Sequence, residues 1–216
     1  MDSPKLKWPS LGRPIQAAKQ LLVEGRTPEI FFREWVEALE LEGDAEVRDY
    51  GSLADLTPYL KVFTSYKDFR ELVSSVAIIR DAEDKPVTFA FESVCAALRA
   101  VGLPCPTCPA SFSNGMPRTG IFVLPDCQQS GMLETLCWSV LESDQKLTPQ
   151  LECVTAYFNC LKQANTVIRN EAKARVWTYL AGKGQFDPQV GRAAQAKVWD
   201  WASPALQQLS LFLKAL

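Results

Sequence analysis

Three apolar runs in this chain end in carboxylates. LLVEG, residues 21–25, runs into Glu24 and Gly25. VAIIRDAED, residues 76–84, runs into Asp81, Glu83 and Asp84. GIFVLPD, residues 120–126, ends in Asp126, and Glu134 follows in SGMLETL. A buried run does not ordinarily empty into like charge without a counter-ion. Carboxylates within about 4–6 Å of one another raise each other's pKa, and a divalent cation relieves the repulsion. Mg²⁺ takes oxygen ligands, keeps several waters, and is held by one or two carboxylates together with substrate phosphates. The chemistry these acids point to is a Mg²⁺ or Mn²⁺ site.

The same residues carry simpler readings. A strand-end Asp such as Asp126 is often a loop or helix-cap residue, and Glu83 and Asp84 are equally explained as solvated turn residues. Glu24 is harder to set aside. Gly25 after it permits close backbone approach, and the residues that follow begin a helix, whose N-terminus favours anions.

Other chemistries are excluded by residue type. The chain has no histidine. Ser-His-Asp and Cys-His nucleophile systems and His-bearing zinc sites are therefore absent. PCPTCP places Cys105 and Cys108 in a C-x-x-C between prolines. A structural zinc site needs four ligands, and no second C-x-x-C follows, so no zinc is expected. GKGQF, at 182–186, is read as a turn. Neither it nor any other segment has the GxxxxGK[ST] spacing of a phosphate loop, so no nucleotide cofactor is expected.

These acids need elements to position them. LLVEG reads as a strand over 19–24, AEVRDYG as a second over 45–51, VAIIRD as a third over 76–81 and RTGIFVLPD as a fourth over 118–126. Between the first two, RTPEIFFREWVEALELEG reads as a helix. Thr27 is the expected N-cap, Pro28 the first helical residue and Gly43 the stop. Phe31, Trp35 and Leu39, widened by Phe32 and Val36, make its apolar stripe. LADLTPYLKVF and YKDFRELVSS read as helices with a break near Thr64 and Ser65. Residues 87–102 form another, closing at Gly102, and 130–143 a further one. Residues 103–119 read as loop.

Strands alternating with helices predict α/β architecture: a small parallel sheet of about four strands sandwiched by helices. Beyond residue 146 only helical spacing remains. We read 1–146 as the α/β core and 147–216 as a helical extension packed on it. The aromatic residues of that extension, Tyr157, Phe158, Trp177, Tyr179, Trp199, Trp201 and Phe212, are expected as core anchors.

Composition bounds the partners. The 216 residues are 47% apolar with a net charge of −2, so any phosphate-bearing partner must be held by a local patch or a metal. No run of about 18 apolar residues occurs, so no membrane span is expected. MDSPKLKWPSLGRP lacks the apolar core of a signal peptide. The seven cysteines fit a reducing compartment better than a disulfide framework, and the expected location is cytoplasmic.

LLVEG, a helix, and then IIRDAED resemble the Toprim domain, shared by topoisomerases, DnaG-type primases and OLD-family nucleases. Its pattern is a strand ending in Glu-Gly and a later strand ending in Asp-x-Asp. Glu24 and Gly25 match the first half. Asp81 matches the second, with Glu83 in place of the second Asp and Asp84 as an alternative. SGMLETL is similar to the OLD-like segment whose Gly-x-x-Glu adds one metal-binding carboxylate, here Glu134. The segments FRELVSSVAIIRDAED, EAKARVWTYLA and VWDWASPAL extend the likeness, over roughly residues 19–214, to a family of uncharacterised bacterial and archaeal Toprim-like proteins.

The resemblance implies a Toprim/Rossmann-like fold. It implies Glu24 as acid, base or metal ligand, and Asp81, Glu83, Asp84 and Glu134 as ligands for Mg²⁺ or Mn²⁺. Lys173 is implied as an assisting cation, although Lys173 and Arg175 also suit the solvated face of a helix. The implied activity is metal-dependent phosphodiester hydrolysis on a nucleic acid. Two alternatives stay open: a non-catalytic binding module, and a subunit that works with a partner ATPase.

Overall fold

The structure, a computed structural model, describes residues 8–184 and 186–216. The first seven residues, at the start of the expected α/β core, and Gln185 of the expected GKGQF turn lie outside them.

Strand β1, Lys19–Val23, leads through Glu24 and Gly25 into helix α1, Arg26–Ala38. Strand β2, Ala45–Asp49, follows, then helices α2, Leu56–Ser65, and α3, Lys67–Leu72. Strand β3, Ser75–Asp81, is joined by helix α4, Val87–Arg99, to a two-residue strand β4, Ser111–Phe112, and then to β5, Arg118–Leu124. Five further helices complete the chain: α5, Leu133–Glu142; α6, Thr148–Gln163; α7, Glu171–Ala181; α8, Val190–Gln195; and α9, Gln207–Lys214.

The sheet has the order β2-β1-β3-β5-β4. β1 is parallel to β2 and to β3, and β3 is parallel to β5. Strand alternation divides the apolar residues between two cores. Leu21, Val23, Ala77, Ile79, Phe122 and Leu124 join one core with Trp35 of α1 and Leu136 of α5. Leu22, Val76, Ile78, Ile121 and Val123 join the other with Tyr59 and Phe63 of α2 and Val94 of α4. Burial on both faces accounts for strands that read as continuous apolar runs.

The helices after residue 146 share the first core: Val176 and Leu180 of α7, Ala193 and Ala194 of α8 and Phe212 of α9 lie in it with Leu21 and Phe122. Trp201 stacks on Trp35 at 5.5 Å between ring centroids. Two of the expected core anchors are exposed instead, Tyr157 at 52% and Trp177 at 42%, and Trp201 is half-buried.

The sheet has one strand more than expected, and that strand is antiparallel. β4 lies inside the segment read as loop and pairs Phe112 with Gly120 of β5. A Cβ at Gly120 would stand 2.5 Å from the Phe112 ring, so glycine is what lets that ring lie across β5 and stack on Phe212 at 4.8 Å. Helix α1 starts two residues earlier than expected, at Arg26. Its cap position is Gly25, and Thr27 sits in the first turn, where its hydroxyl donates to Gln189 Oε1 at 3.0 Å. The helix ends at Ala38, and Gly43 lies beyond it with φ +90°. Cys95 and Cys105 are joined in a disulfide, and the other five cysteines are free. Among the described residues no helix is long and apolar enough to cross a membrane.

Candidate active site

The sheet order reverses between β1 and β3: β2 lies to one side of β1, and β5 lies beyond β3. In open α/β sheets this is where strand ends splay and leave a crevice. Glu24 follows the last residue of β1, and Asp81 is the last residue of β3. Gly25 makes the bend from β1 into α1 at φ +93°, ψ 166°, a conformation that side-chain-bearing residues rarely adopt. Its N–H donates to Asp49 Oδ1 at 2.8 Å, and Gly51 N–H donates to the same oxygen at 2.7 Å. Asp49, at the end of β2, thereby braces both turns; burial pushes its carboxyl up against the pull of these two bonds.

A cavity of about 280 Å³ lies at these strand ends, walled by Glu24, Asp81, Glu83, Glu134, Lys173 and Trp177, with Thr27, Asn170 and Gln189 at its sides. Glu24 is held from three directions. Its Oε1 accepts the Leu53 N–H at 3.1 Å, its Oε2 accepts the Tyr50 hydroxyl at 3.5 Å, and the Arg80 guanidinium pairs with it. Tyr50 is fully buried, and burial, together with the Glu24 charge, pushes its phenol well above its ordinary value.

Asp81 Oδ1 accepts the N–H of Leu133, the first residue of α5, at 3.0 Å. Its carboxyl is pushed up to about 7. Burial is the main cause, followed by the charges of Glu134 and Glu24; the Leu133 bond and Arg80 oppose the rise. Glu134, one residue further into α5, is 9% exposed, and Lys173 Nζ stands 3.8 Å from its Oε1. Lys173 is set by the start of α7, where Asn170 caps the helix by accepting the Lys173 N–H at 3.0 Å. Its ammonium also lies 5.1 Å from the centre of the Trp177 ring. The buried Cys137 thiol is pushed up by burial, and further by the Glu134 and Asp81 charges.

Five of the residues singled out in the sequence thus face one cavity: Glu24, Asp81, Glu83, Glu134 and Lys173. Glu83 lies exposed at the rim in a left-handed turn, φ 58°, bridged to Gly131. Asp84 lines a neighbouring shallow hollow beside Arg169 and Glu171 instead. Asp126 is outside both: its Oδ1 accepts the N–H groups of Gln128 and Gln129 at 2.9 and 2.8 Å and closes its own turn. Tyr50, Asn170, Trp177 and Gln189 carried no signal in the sequence that linked them to the acids. They come from helices and loops remote in the chain.

The oxygen donors suit a hard divalent cation in type, and the field of Glu134 and Glu24 on Asp81 is the one such an ion would neutralise. Their spacing does not yet make a ligand set: among the described residues no three carboxylates or thiols stand close enough together to hold a metal. Glu24 is turned to Arg80 and Glu134 toward Lys173.

Residues 18–216 match the family described as protein of unknown function (DUF3226), and the chain belongs to that family. No curated protein matches it. Two solved structures of the C-terminal region of the OLD protein of Xanthomonas campestris pv. campestris align with it. The platinum-phased one is 14% identical, covering 92% of this chain and 93% of that one, with a TM-score of 0.46. The mercury-phased one is 15% identical, covering 92% and 95%, with a TM-score of 0.44.

Proposed function

We propose that this chain hydrolyses phosphodiester bonds of a nucleic acid with Mg²⁺ or Mn²⁺, at the crevice between the ends of β1 and β3. The observation that carries the reading is the convergence of Glu24, Asp81, Glu134 and Lys173 on one cavity, with Asp81 held near pKa 7 by burial and by the other two acids. The Toprim-like order of the motifs, Glu-Gly after one strand and an acid pair after a later one, supports it from the sequence.

When bound, a divalent ion lowers the pKa of a coordinated water and neutralises phosphate charge. Asp81 and Glu134 are the oxygens that would hold it. Asp81 is fixed by the Leu133 N–H and Glu134 by its place in α5. Glu24, once released from Arg80, is placed to take or give a proton. Lys173 offers a cation to a non-bridging phosphate oxygen. Because Asp81 ionises only as the pH rises through about 7, the metal competes with its proton, and affinity rises across that range.

The test is Mn²⁺ binding by calorimetry on the wild type and on Asp81→Asn, followed by cleavage assays on DNA and RNA. Saturable binding that Asp81→Asn abolishes supports the reading; equal or absent binding in both overturns a preformed site. The second reading, a binding module without catalysis, is favoured by one observation: Glu24 is already paired with Arg80. If that pair is permanent, Arg80→Gln leaves metal affinity unchanged; if it gates the site, affinity rises. A nuclease dependent on a partner ATPase would bind metal and cleave nothing alone.

A further inference from the structure

The chain carries a net charge of −2 and its crevice is lined with acids, so a nucleic-acid strand needs positive charge from elsewhere on the surface. That charge is gathered next to the crevice. Glu29, 2% exposed in the first turn of α1, draws three guanidiniums to a single carboxylate. Arg13 and Arg33 reach Oε1 at 2.7 and 2.8 Å, and Arg26 reaches Oε2 at 2.5 Å. One acid cannot balance three guanidiniums. The side chains of Arg26 and Arg33 remain 66% and 41% exposed.

Both line a hollow of about 240 Å³, with Arg192 of α8 on its opposite wall. Arg192 takes no part in the Glu29 cluster and donates instead to Gln195 Oε1 at 2.8 Å. Two acids also border the hollow. Glu34 is paired with Lys197 at 2.8 Å, and Asp187 accepts from Gln189 at 2.9 Å. Of the charged residues that line the hollow, three are cations, Arg26, Arg33 and Arg192, and two are acids, Glu34 and Asp187, with Glu34 already paired with Lys197. The hollow and the acidic cavity share two wall residues, Thr27 and Gln189, which are bonded to each other at 3.0 Å.

We infer that this arginine hollow is a phosphate subsite that grips the backbone of the nucleic-acid strand beside the phosphate at the crevice. Guanidinium forks match phosphate oxygens in pairs. Glu29 organises them: it fixes Arg26 and Arg33 from beneath and leaves their outer N–H groups to the ligand. The strand runs from Asp81 and Glu134 over the Thr27–Gln189 divide and sets a neighbouring phosphate between Arg26, Arg33 and Arg192. The inference rests on the proposed nucleic-acid substrate, but it concerns binding and needs no metal.

The experiment is fluorescence polarisation of a short fluorescein-labelled single-stranded DNA in excess EDTA, across a salt series. The proteins are the wild type, the double variant Arg26→Gln/Arg192→Gln, and Arg99→Gln on the remote helix α4, each checked for wild-type thermal unfolding. The double variant is expected to bind at least about tenfold more weakly. Its plot of log affinity against log salt should be shallower by about 0.7 for each phosphate no longer neutralised. Arg99→Gln should bind as the wild type does. That pattern supports the subsite even if Mn²⁺ elicits no cleavage, so it separates this inference from the catalytic reading. The subsite is overturned if the wild type does not bind in EDTA, or if the double variant keeps wild-type affinity and slope. It is also overturned if Arg99→Gln weakens binding equally, whether or not the wild type cleaves.

Discussion

Replacing Asp81 by asparagine should stabilise the protein, and only at neutral and alkaline pH. The carboxyl moves from an ordinary value of 3.8 to about 7 in the fold. An acid whose folded pKa is raised holds its proton more tightly folded than unfolded. Its penalty is therefore absent below the unfolded value, grows as the pH climbs from about 4 to about 7, and is complete above that. At about 1.4 kcal/mol per tenfold in proton affinity, the full penalty is ~4 kcal/mol. Asp81 keeps some access to solvent, and screening there reduces the figure to ~2 kcal/mol. Asparagine keeps the shape and the oxygen that accepts the Leu133 N–H, so little is lost in exchange.

Urea unfolding followed by tryptophan fluorescence measures the difference. At about pH 8 Asp81→Asn should be more stable by ~2 kcal/mol, or about 4–8 °C in Tm for a chain of this size; at about pH 4 the two proteins should coincide. Saturating Mn²⁺ at a hundred times its Kd should add about 2.7 kcal/mol to the wild type at the higher pH and nothing to the variant. A variant that is less stable at pH 8, or offset equally at both pH values, would refute the account of Asp81 as a carboxylate held against its own solvation. A side chain kept at a cost in stability is the ordinary mark of function.

Three other substitutions probe the frame around it. Glu24→Ala removes the partner of Arg80, which is 5% exposed and has its Nε already without a hydrogen bond among the described residues; the stranded charge should cost ~3 kcal/mol in urea unfolding. Glu29→Gln leaves three guanidiniums without a carboxylate, but they are partly solvated, their side chains 33%, 66% and 41% exposed, so the cost should be only about 1–2 kcal/mol, read by the same assay. Gly191→Ala would set a Cβ 2.6 Å from the Thr27 carbonyl and 3.0 Å from Ile30 Cβ. Helix α8 must then retreat from α1, at ~2 kcal/mol by thermal unfolding.

The strands that end in Glu24 and Asp81 are legible in the sequence because each is buried on both faces and empties abruptly into charge. Such a change of character marks a parallel strand and its exit toward solvent. β4 is not legible: two residues carry no periodicity, and its place is fixed by the bare backbone of Gly120 beneath the Phe112 ring. The start of α1 reads two residues late because Thr27-Pro28 carries an N-cap signal. The bend is made two residues earlier, where Asp49 grips the Gly25 amide from a strand more than twenty residues away. Asp126 has the position of a site residue, yet it spends its oxygens on its own turn. Glu83 reaches the rim and Asp84 misses the cavity because the chain turns left-handed at Glu83, a local reversal that residue types alone do not specify.

Charge balance ties the C-terminal helices to the crevice. An acid triad at the sheet edge is self-repelling, and the fold answers it with two cations from different places. Arg80 comes from β3 itself and Lys173 from α7, nearly a hundred residues later. Lys173 can stand there because Val176, Tyr179 and Leu180, on the same helix, are buried in the core that holds Leu21 and Phe122. Gln189 and Val190, just before and at the start of α8, line the same cavity, and α8 packs against α1 through Gly191. The helices beyond residue 146 thus complete both the core beneath the crevice and the wall around it. A mutation that loosens α7 or α8 acts on the same electrostatic balance as one that touches Glu24 or Asp81 directly.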